Sequence, residues 1–213
     1  MDVIPAPEVS ALVLHGQRSQ LVPVVHEHVP ELRRIRAEPA VRRYWRDADA
    51  SSGWPLDEPS VRRFAVLVDG EVRGLVQYVE ENDEDYRHAS LDVFLDPAVH
   101  GQGLGRDAVA TLARYLVDRR GHHRLVIDPA ADNTAAIRCY VSIGFRPVGV
   151  MRRYERDAQG GGWHDGLLMD LLAEELQCYS ADESWPGPAT GGQPSSGDVA
   201  AASSDPTGPG VGR

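Results

Sequence analysis

The segment that decides the fold reads Leu91-Asp92-Val93-Phe94-Leu95, then Asp96-Pro97, then His100-Gly101-Gln102-Gly103-Leu104-Gly105. It predicts a β-strand, a turn and a loop, and a helical pattern begins directly after the last glycine. Three glycines at alternate positions have no Cβ to keep a ligand away from the backbone, and the free amides of a helix's first turn attract anions. The segment therefore predicts a diphosphate-binding loop, although a glycine cluster at this place can also be a simple tight turn.

Several common phosphate chemistries do not fit this chain. The spacing Gly-x-Gly-x-Gly differs from the dinucleotide fingerprint and from the Walker loop, which ends in Gly-Lys-Ser/Thr. The chain contains no lysine, and all 22 of its basic residues are arginine. Walker-type ATP hydrolysis, pyridoxal Schiff bases and lysine nucleophiles therefore lack their usual reactive group.

A second pattern follows about 27 residues after the loop. It reads Asp132-Asn133-Thr134-Ala135-Ala136-Ile137-Arg138-Cys139-Tyr140-Val141-Ser142-Ile143-Gly144-Phe145. Polar residues that can cap a helix begin it, apolar residues recur at three- and four-residue spacing, and Gly144 predicts the helix end. A short helix is thus expected after a strand over Arg124 to Asp128.

Together the two patterns resemble the GNAT superfamily of acetyl-CoA-dependent N-acetyltransferases. The family motifs are a Gln/Arg-x-x-Gly-x-Gly/Ala loop and, later, Asn-x-x-Ala-x-x-x-Tyr-x-x-x-Gly-Phe. The resemblance runs from about Leu12 to Leu172 in element order. His100 is a departure, since the family usually has Arg or Gln there. Backbone donors do most of the phosphate binding, so we expect the change to be tolerated.

The resemblance implies an α/β (α+β) fold. We expect a mixed, mostly antiparallel twisted sheet of about six to seven strands, with helices on both faces and a central splay between strands 4 and 5. The other predicted elements are a strand Ala11–Leu14, helices Val24–Ala37 and Ala40–Trp45, a hairpin of Phe64–Val68 and Val72–Val79 around Asp69-Gly70, a helix Gly105–Arg120, and strands Arg146–Arg153 and His164–Leu171.

Composition predicts one domain, residues 11–177, after an extension of residues 1–10 and before a disordered Gly/Pro/Ser/Ala-rich tail, residues 178–213. The two cysteines imply no disulfide framework, and no leader or 18-residue apolar stretch is evident, so a cytoplasmic protein is expected. With a net charge of -10, the chain should repel nucleic acid and anionic membrane and suit a cationic partner. A homodimer is compatible with the sequence.

In the family the pantetheine arm of acetyl-CoA lies between the splayed strands. The resemblance assigns cofactor binding to Val93, Phe94, Leu95, His100, Gly101, Gln102, Gly103, Leu104, Gly105, Arg106, Asn133 and Ala136. Asn133 is equally the residue that a helix cap requires.

Acetyl transfer from a thioester to an amine needs a neutral amine and a proton for the leaving thiolate. Strand alternation puts the Asp92 side chain on the opposite face of the sheet from Leu91 and Val93, beside the expected splay. Asp92 can therefore accept the amine proton, but it can also be an ordinary exposed carboxylate. Tyr140 matches the family tyrosine that protonates the thiolate, and its alternative role is that of a core aromatic residue. No histidine spacing suggests a metal site.

The acceptor is the more open question. Residues 80–85 contain five carboxylates, which could concentrate a polyamine or merely form a solvated hairpin tip. The opening up to Tyr44-Trp45 resembles that of the aminoglycoside 6'-N-acetyltransferases, and this resemblance assigns Asp92 and Asp128 to proton removal and to holding the drug's amines. Tyr44 and Trp45 could cover the acceptor or simply pack on the sheet.

Two other functions remain open at this point. The hairpin is shorter than in the aminoglycoside group and lacks that group's tryptophan pair, whereas Trp163-His164-Asp165-Gly166-Leu167-Leu168-Met169 resembles the end of enzymes that acetylate N-terminal amines of ribosomal proteins. A protein acceptor is therefore the first alternative. The second is a non-catalytic domain that binds acetyl-CoA and reports it to a partner.

Overall fold

The computed structural model describes residues 12–46, 53–158 and 160–176. Its elements are β1 (Leu14–His15), β2 (Gln20–Pro23), a 3-10 turn (His26–His28), α1 (Val29–Arg36), α2 (Pro39–Arg42), β3 (Arg62–Val68), β4 (Glu71–Glu81), β5 (His88–Leu95), a 3-10 turn (Pro97–Val99), α3 (Leu104–Arg114), a π-helical turn (Tyr115–Arg119), β6 (Arg124–Ile127), α4 (Thr134–Val141), β7 (Arg146–Arg156), β8 (Trp163–Leu172) and a 3-10 turn (Ala173–Glu175).

The strands form one sheet in the order β1-β2-β3-β4-β5-β6-β8-β7, and only β5 and β6 run parallel. These two strands pair only at Ala89 with Leu125 and at Ser90 with Val126. Beyond Ser90 they separate, which confirms the predicted splay. Among the eight described strands it falls between the fifth and sixth, not between the fourth and fifth of six or seven, because the unpredicted β2 adds one strand before it.

The beginning of the chain differs from the expectation. Of the described residues in the predicted first strand, only Leu14 is in β1, and the hairpin partner β2 was not predicted. The first α-helix starts at Val29 and not at Val24, because Pro30 has no amide hydrogen and fits only the first helical turn. The second predicted helix is shorter than expected and ends at Arg42.

Other elements follow the local sequence signals closely. Asp69 and Gly70 both have positive φ, 51° and 81°, as a two-residue hairpin turn requires. The long helix keeps regular α geometry to Arg114, continues as a π turn to Arg119, and ends before Gly121, whose φ is +68°.

Helices cover both faces of the sheet. Leu91 packs in a core cluster with Leu112 of α3 and Tyr140 of α4. Phe94 packs in a second cluster with Leu32 of α1. Residues of odd and even number on β5 therefore face different helices, as strand alternation requires.

The predicted extension and tail, residues 1–10 and 178–213, lie outside the described residues. Within the described part of the chain, none of the helices is both long enough and apolar enough to cross a membrane.

Candidate active site

The splay between β5 and β6 opens two connected cavities. The large cavity, about 490 Å³, is bounded by the end of β5, the glycine loop and α4. It contains all of the predicted cofactor-binding residues except Gln102. The small cavity, about 220 Å³, lies beside it. Five residues line both cavities: Tyr44, Trp45, Val93, Asn133 and Tyr140.

The glycine loop has the backbone shape that its sequence predicts. Gly101 and Gly103 have φ of +72° and +80°, in the left-handed region that favours glycine. Gly103 is the residue immediately before α3, so the first-turn amides of the helix follow it directly. The loop and these amides line the large cavity and form a cradle of the type that holds a diphosphate.

The two polar side chains of the loop have structural partners. His100 Nε2 lies 3.1 Å from the carbonyl oxygen of Leu95, and because a carbonyl only accepts, this nitrogen carries a hydrogen. The Gln102 side chain donates to the Ala98 carbonyl, and the backbone carbonyl of Gln102 accepts from the Arg18 guanidinium. Gln102 therefore supports the loop, although the sequence placed it among the cofactor-binding residues.

Asp107, in the first turn of α3, connects this helix to the first hairpin. Its buried carboxylate accepts the amides of Gln17, Arg18 and Ser19 at 2.8, 3.1 and 2.9 Å and the Ser19 hydroxyl at 2.7 Å. Residues 17–19 thus fix the start of the helix that borders the large cavity.

On the opposite wall, α4 places two predicted site residues. Asn133 caps the helix, and its side-chain oxygen accepts the Ala136 amide at 3.2 Å. Its predicted cap role is present, and it also lines both cavities. Tyr140 is buried, with its ring 6.1 Å from that of Phe145, yet it borders both cavities. Burial, followed by the nearby Cys139, Asp92 and Asp128, raises its pKa well above the usual value for tyrosine.

The small cavity has an aromatic wall. Trp45 meets Phe94 edge-on at 4.9 Å between ring centroids. The guanidinium of Arg36 lies 5.6 Å from the Trp45 ring and 4.3 Å from the Trp54 ring. Tyr44 and Trp45 therefore border the cavities, where they could cover an acceptor. Trp45 also packs against the sheet, which was the alternative role predicted for this pair.

Asp92 and Asp128 come together at the small cavity. Solvent can reach Asp92, but the cavity walls crowd it, and this desolvation raises its pKa despite a hydrogen bond from Gln77. Desolvation also raises the pKa of Asp128 to about 6, and repulsion from Asp92 and Glu155 adds to the effect. The Asp128 carboxyl is thus suited to exchange protons near neutral pH.

Two further residues of this site were missed by the sequence reading, which ended β7 at Arg153. The Tyr154 hydroxyl donates to Asp128, and this bond raises the tyrosine pKa to about 12. Glu155 lines the small cavity, and partial burial together with the charge of Asp92 raises its pKa. A break in the β7–β8 register between Met151 and Glu155, with Arg153 at φ +50°, directs these side chains.

The acidic run at residues 80–85 lies at the opposite end of β5 from the glycine loop, and none of its residues lines either cavity. Glu80 accepts two hydrogen bonds from Arg120, both at 3.0 Å, and one from His122 at 2.8 Å. These bonds outweigh its burial and lower its pKa. The run therefore does not surround an acceptor, and Glu80 holds the end of the long helix on the sheet.

The arrangement defines a class of reaction. A groove with a diphosphate cradle ends at a buried tyrosine hydroxyl, and beyond it lies a cavity with three carboxylates. Such a site can align a long phosphorylated thioester with a cationic amine and move protons on both sides of the transfer. Among the described residues, there is no group of three or more His, Cys, Asp or Glu side chains that could hold a metal ion.

Comparison with known proteins agrees with this class. The model of the Acetyltransferase (GNAT) family matches residues 24–145, which is more than half of the chain. The chain belongs to this family, and it is an N-acetyltransferase that uses acetyl-CoA.

Particular relatives refine the comparison. The spermidine N(1)-acetyltransferase of Escherichia coli K12 is 28% identical over 177 residues, which cover 79% of this chain and 91% of that protein. Two solved structures share the fold at 20% identity. They are Mycobacterium smegmatis RimJ with CoA-disulfide (TM-score 0.68, 79% of this chain and 90% of the other) and the Vibrio cholerae spermidine N-acetyltransferase with CoA and spermine (TM-score 0.64, 74% and 97%).

Proposed function

We propose that this enzyme acetylates a primary amine of a small polycation, and that the acceptor is a linear polyamine. The observation that carries the proposal is the small cavity, where Asp92, Asp128 and Glu155 face one space that opens onto Tyr140. Three carboxylates favour a ligand with several positive charges over a simple monoamine. The spermidine acetyltransferase relatives support the same substrate class.

The size of the cavity favours a narrow acceptor. Its volume of about 220 Å³ is below the range of about 300–1,000 Å³ that is typical for drug-sized ligands. An extended polyamine can insert one end and leave the remainder along the cavity mouth. An aminoglycoside, for which the resemblance of the Tyr44-Trp45 region argues, would have to place a whole ring there. We keep it as the second candidate.

In the proposed complex, acetyl-CoA occupies the large cavity. The amides after Gly103 bind its diphosphate, the end of β5 aligns its pantetheine arm, and Asn133 and Ala136 border that arm. Beyond Ser90, the edge of β5 that faces the splay has no pairing partner in β6 within the described residues. The Asp96 amide donates to the Arg73 carbonyl of β4, so alternation turns the amides of Val93 and Leu95 toward this open edge. In the proposed complex these two amides hold the thioester carbonyl.

The proposed transfer removes two protons from the acceptor nitrogen and adds one to the leaving sulfur. Asp128 and Asp92 hold the ammonium form of the acceptor, and Asp128, with a pKa of about 6, accepts its proton through water. The neutral nitrogen attacks the carbonyl carbon and releases its second proton to water, the carbon–sulfur bond breaks, and the sulfur takes the Tyr140 proton. Asp128 then loses its proton to solvent. Burial raises the pKa of the tyrosine hydroxyl and of the thiol alike. The tyrosine proton therefore moves to sulfur as the carbon–sulfur bond breaks, when negative charge develops on the sulfur. Tyr140 then recovers a proton from solvent.

The test is an acceptor panel measured by thiol release and by mass spectrometry. Spermidine, spermine, kanamycin, an N-terminal ribosomal peptide and propylamine are compared at equal concentration with acetyl-CoA. We expect spermidine or spermine to gain one acetyl group with the highest kcat/KM, and propylamine to react far more slowly. A higher kcat/KM for the peptide or for kanamycin would overturn the polyamine assignment. No product with any amine, while acetyl-CoA still binds, would favour a non-catalytic sensor.

A further inference from the structure

A row of three polar side chains crosses the sheet and ends at Asp92. Arg63, Gln77 and Asp92 are direct cross-strand neighbours on β3, β4 and β5. Arg63 Nε donates to Gln77 Oε1 at 2.9 Å, and Gln77 Nε2 donates to Asp92 Oδ2 at 3.0 Å. The row is therefore a continuous hydrogen-bonded chain from a guanidinium to a carboxylate of the small cavity.

The chain has a fixed direction because Arg63 can only donate. It forces the oxygen of the Gln77 amide toward β3 and therefore the NH₂ group toward Asp92. Arg63 is itself held in place: its side chain is only 6% exposed, and it also donates to the Pro55 carbonyl at 3.0 Å and to Glu58 at 2.7 Å. A flipped amide would place oxygen against the Asp92 carboxylate and nitrogen against the guanidinium.

We propose that Gln77, oriented by Arg63, is a positioning residue that holds the Asp92 carboxylate by a hydrogen bond and aims it into the small cavity. Neither residue lines that cavity, so neither touches the acceptor. The inference rests on the acceptor-binding role proposed for Asp92.

The hydrogen bond from Gln77 favours the charged form of Asp92, whereas the surroundings of Asp92 disfavour it. Carboxylates of Asp128 and Glu155 repel a negative charge at this position, and the hydroxyls of Tyr140 and Tyr154 are near enough to interact with it electrostatically. Arg36 and Arg46 also line the small cavity. Desolvation raises the pKa of Asp92, and the Gln77 hydrogen bond is what lowers it. Loss of that bond should shift Asp92 toward its protonated form.

The test follows the side-chain carboxyl signals by carbon-13 NMR, assigned with Asp92→Asn and Asp128→Asn. Gln77→Glu keeps the size and the contact to Arg63 but presents oxygen to Asp92, and Gln77→Leu removes both bonds. In both variants we expect Asp92 to titrate at higher pH and Asp128 at lower pH, because a neutral Asp92 no longer repels it. On the acidic side of the pH profile, kcat/KM of the two Gln77 variants should fall by about tenfold. This is the effect expected from losing one hydrogen bond to a charged group.

Val79→Ala is the matched control, since Val79 lies on the same strand face and is exposed away from the site. It should leave both titrations and the thermal stabilisation by acetyl-CoA unchanged. In the unmutated protein, the Gln77 side-chain amide signal should titrate with the Asp92 midpoint, a measurement that does not depend on how a variant folds.

The outcomes separate the two proposals. If the Gln77 amide does not follow Asp92, or if the Asp92 titration is unmoved in both Gln77 variants, the positioning role is refuted even in an active enzyme. If the titrations move as expected but no amine is acetylated, the positioning role stands and the proposed function fails.

Discussion

Asp128→Asn should make the protein more stable and far less active. Desolvation and neighbouring carboxylates raise the Asp128 pKa from 3.8 to about 6. Each tenfold change in proton affinity corresponds to about 1.4 kcal/mol, so the upper bound is about 3 kcal/mol. The side chain is only partly buried, and solvent screening reduces the expected gain to about 1–2 kcal/mol. Asparagine keeps the size and an oxygen that can accept from Tyr154.

The pH dependence provides the check. Asp128 binds its proton more tightly in the folded protein than in the unfolded chain, so its contribution favours folding below about pH 4 and is lost as the pH rises through 6. At pH 7.5, urea unfolding of Asp128→Asn should therefore show the higher free energy of unfolding, and thermal unfolding should show a melting temperature about 3–6 °C higher. At pH 4 both differences should vanish. Activity at pH 7.5 should fall about 100-fold or more.

The matched control is Asp132→Asn, four residues further on, where an exposed aspartate pairs with Arg43 at 2.7 Å. Its stability should change by less than about 0.5 kcal/mol at either pH. A less stable Asp128→Asn protein at pH 7.5, or an equal gain at both pH values, would show that Asp128 is not under electrostatic strain.

Three other substitutions probe the site and its support. Gly103→Val places a β-branched side chain at φ +80° in the cradle and should abolish the rise in melting temperature that acetyl-CoA causes. The control Gly121→Val, at φ +68°, should keep this rise. If Gly103→Val also keeps it, the loop does not bind the diphosphate. Tyr140→Phe should lower kcat by about 100-fold with unchanged cofactor affinity, and an unchanged kcat in thiol-release assays would exclude the acid role. Asp107→Ala removes the acceptor of four hydrogen bonds and should lower the free energy of unfolding in urea by about 2–4 kcal/mol; a loss below 1 kcal/mol would mean that water replaces the carboxylate.

The parts of the fold that depend on neighbouring residues could be predicted from the sequence. The turn at Asp69 and Gly70, the left-handed glycines of the loop and the Asn133 cap each follow from the conformational preferences of one or two residues. Family resemblance then placed the loop and Tyr140 on the two sides of one groove.

Other parts depend on contacts between distant segments, which a single sequence does not reveal. Glu80 looked like part of a solvated acidic run, but Arg120 and His122, about 40 residues away, hold it by hydrogen bonds. Tyr154 and Glu155 enter the site only because the β7–β8 register shifts beside them. The Gln77 chain likewise requires three strands in one register.

The carboxylate of Asp107 also has a consequence for the order of assembly. Its partners, residues 17–19, are synthesised almost ninety residues before it. The hydrogen bonds between the first hairpin and the start of α3 can therefore form only after Asp107 has been synthesised. A contact of such long sequence separation slows folding. Residues near the start of the chain thus stabilise a cofactor loop that is synthesised much later.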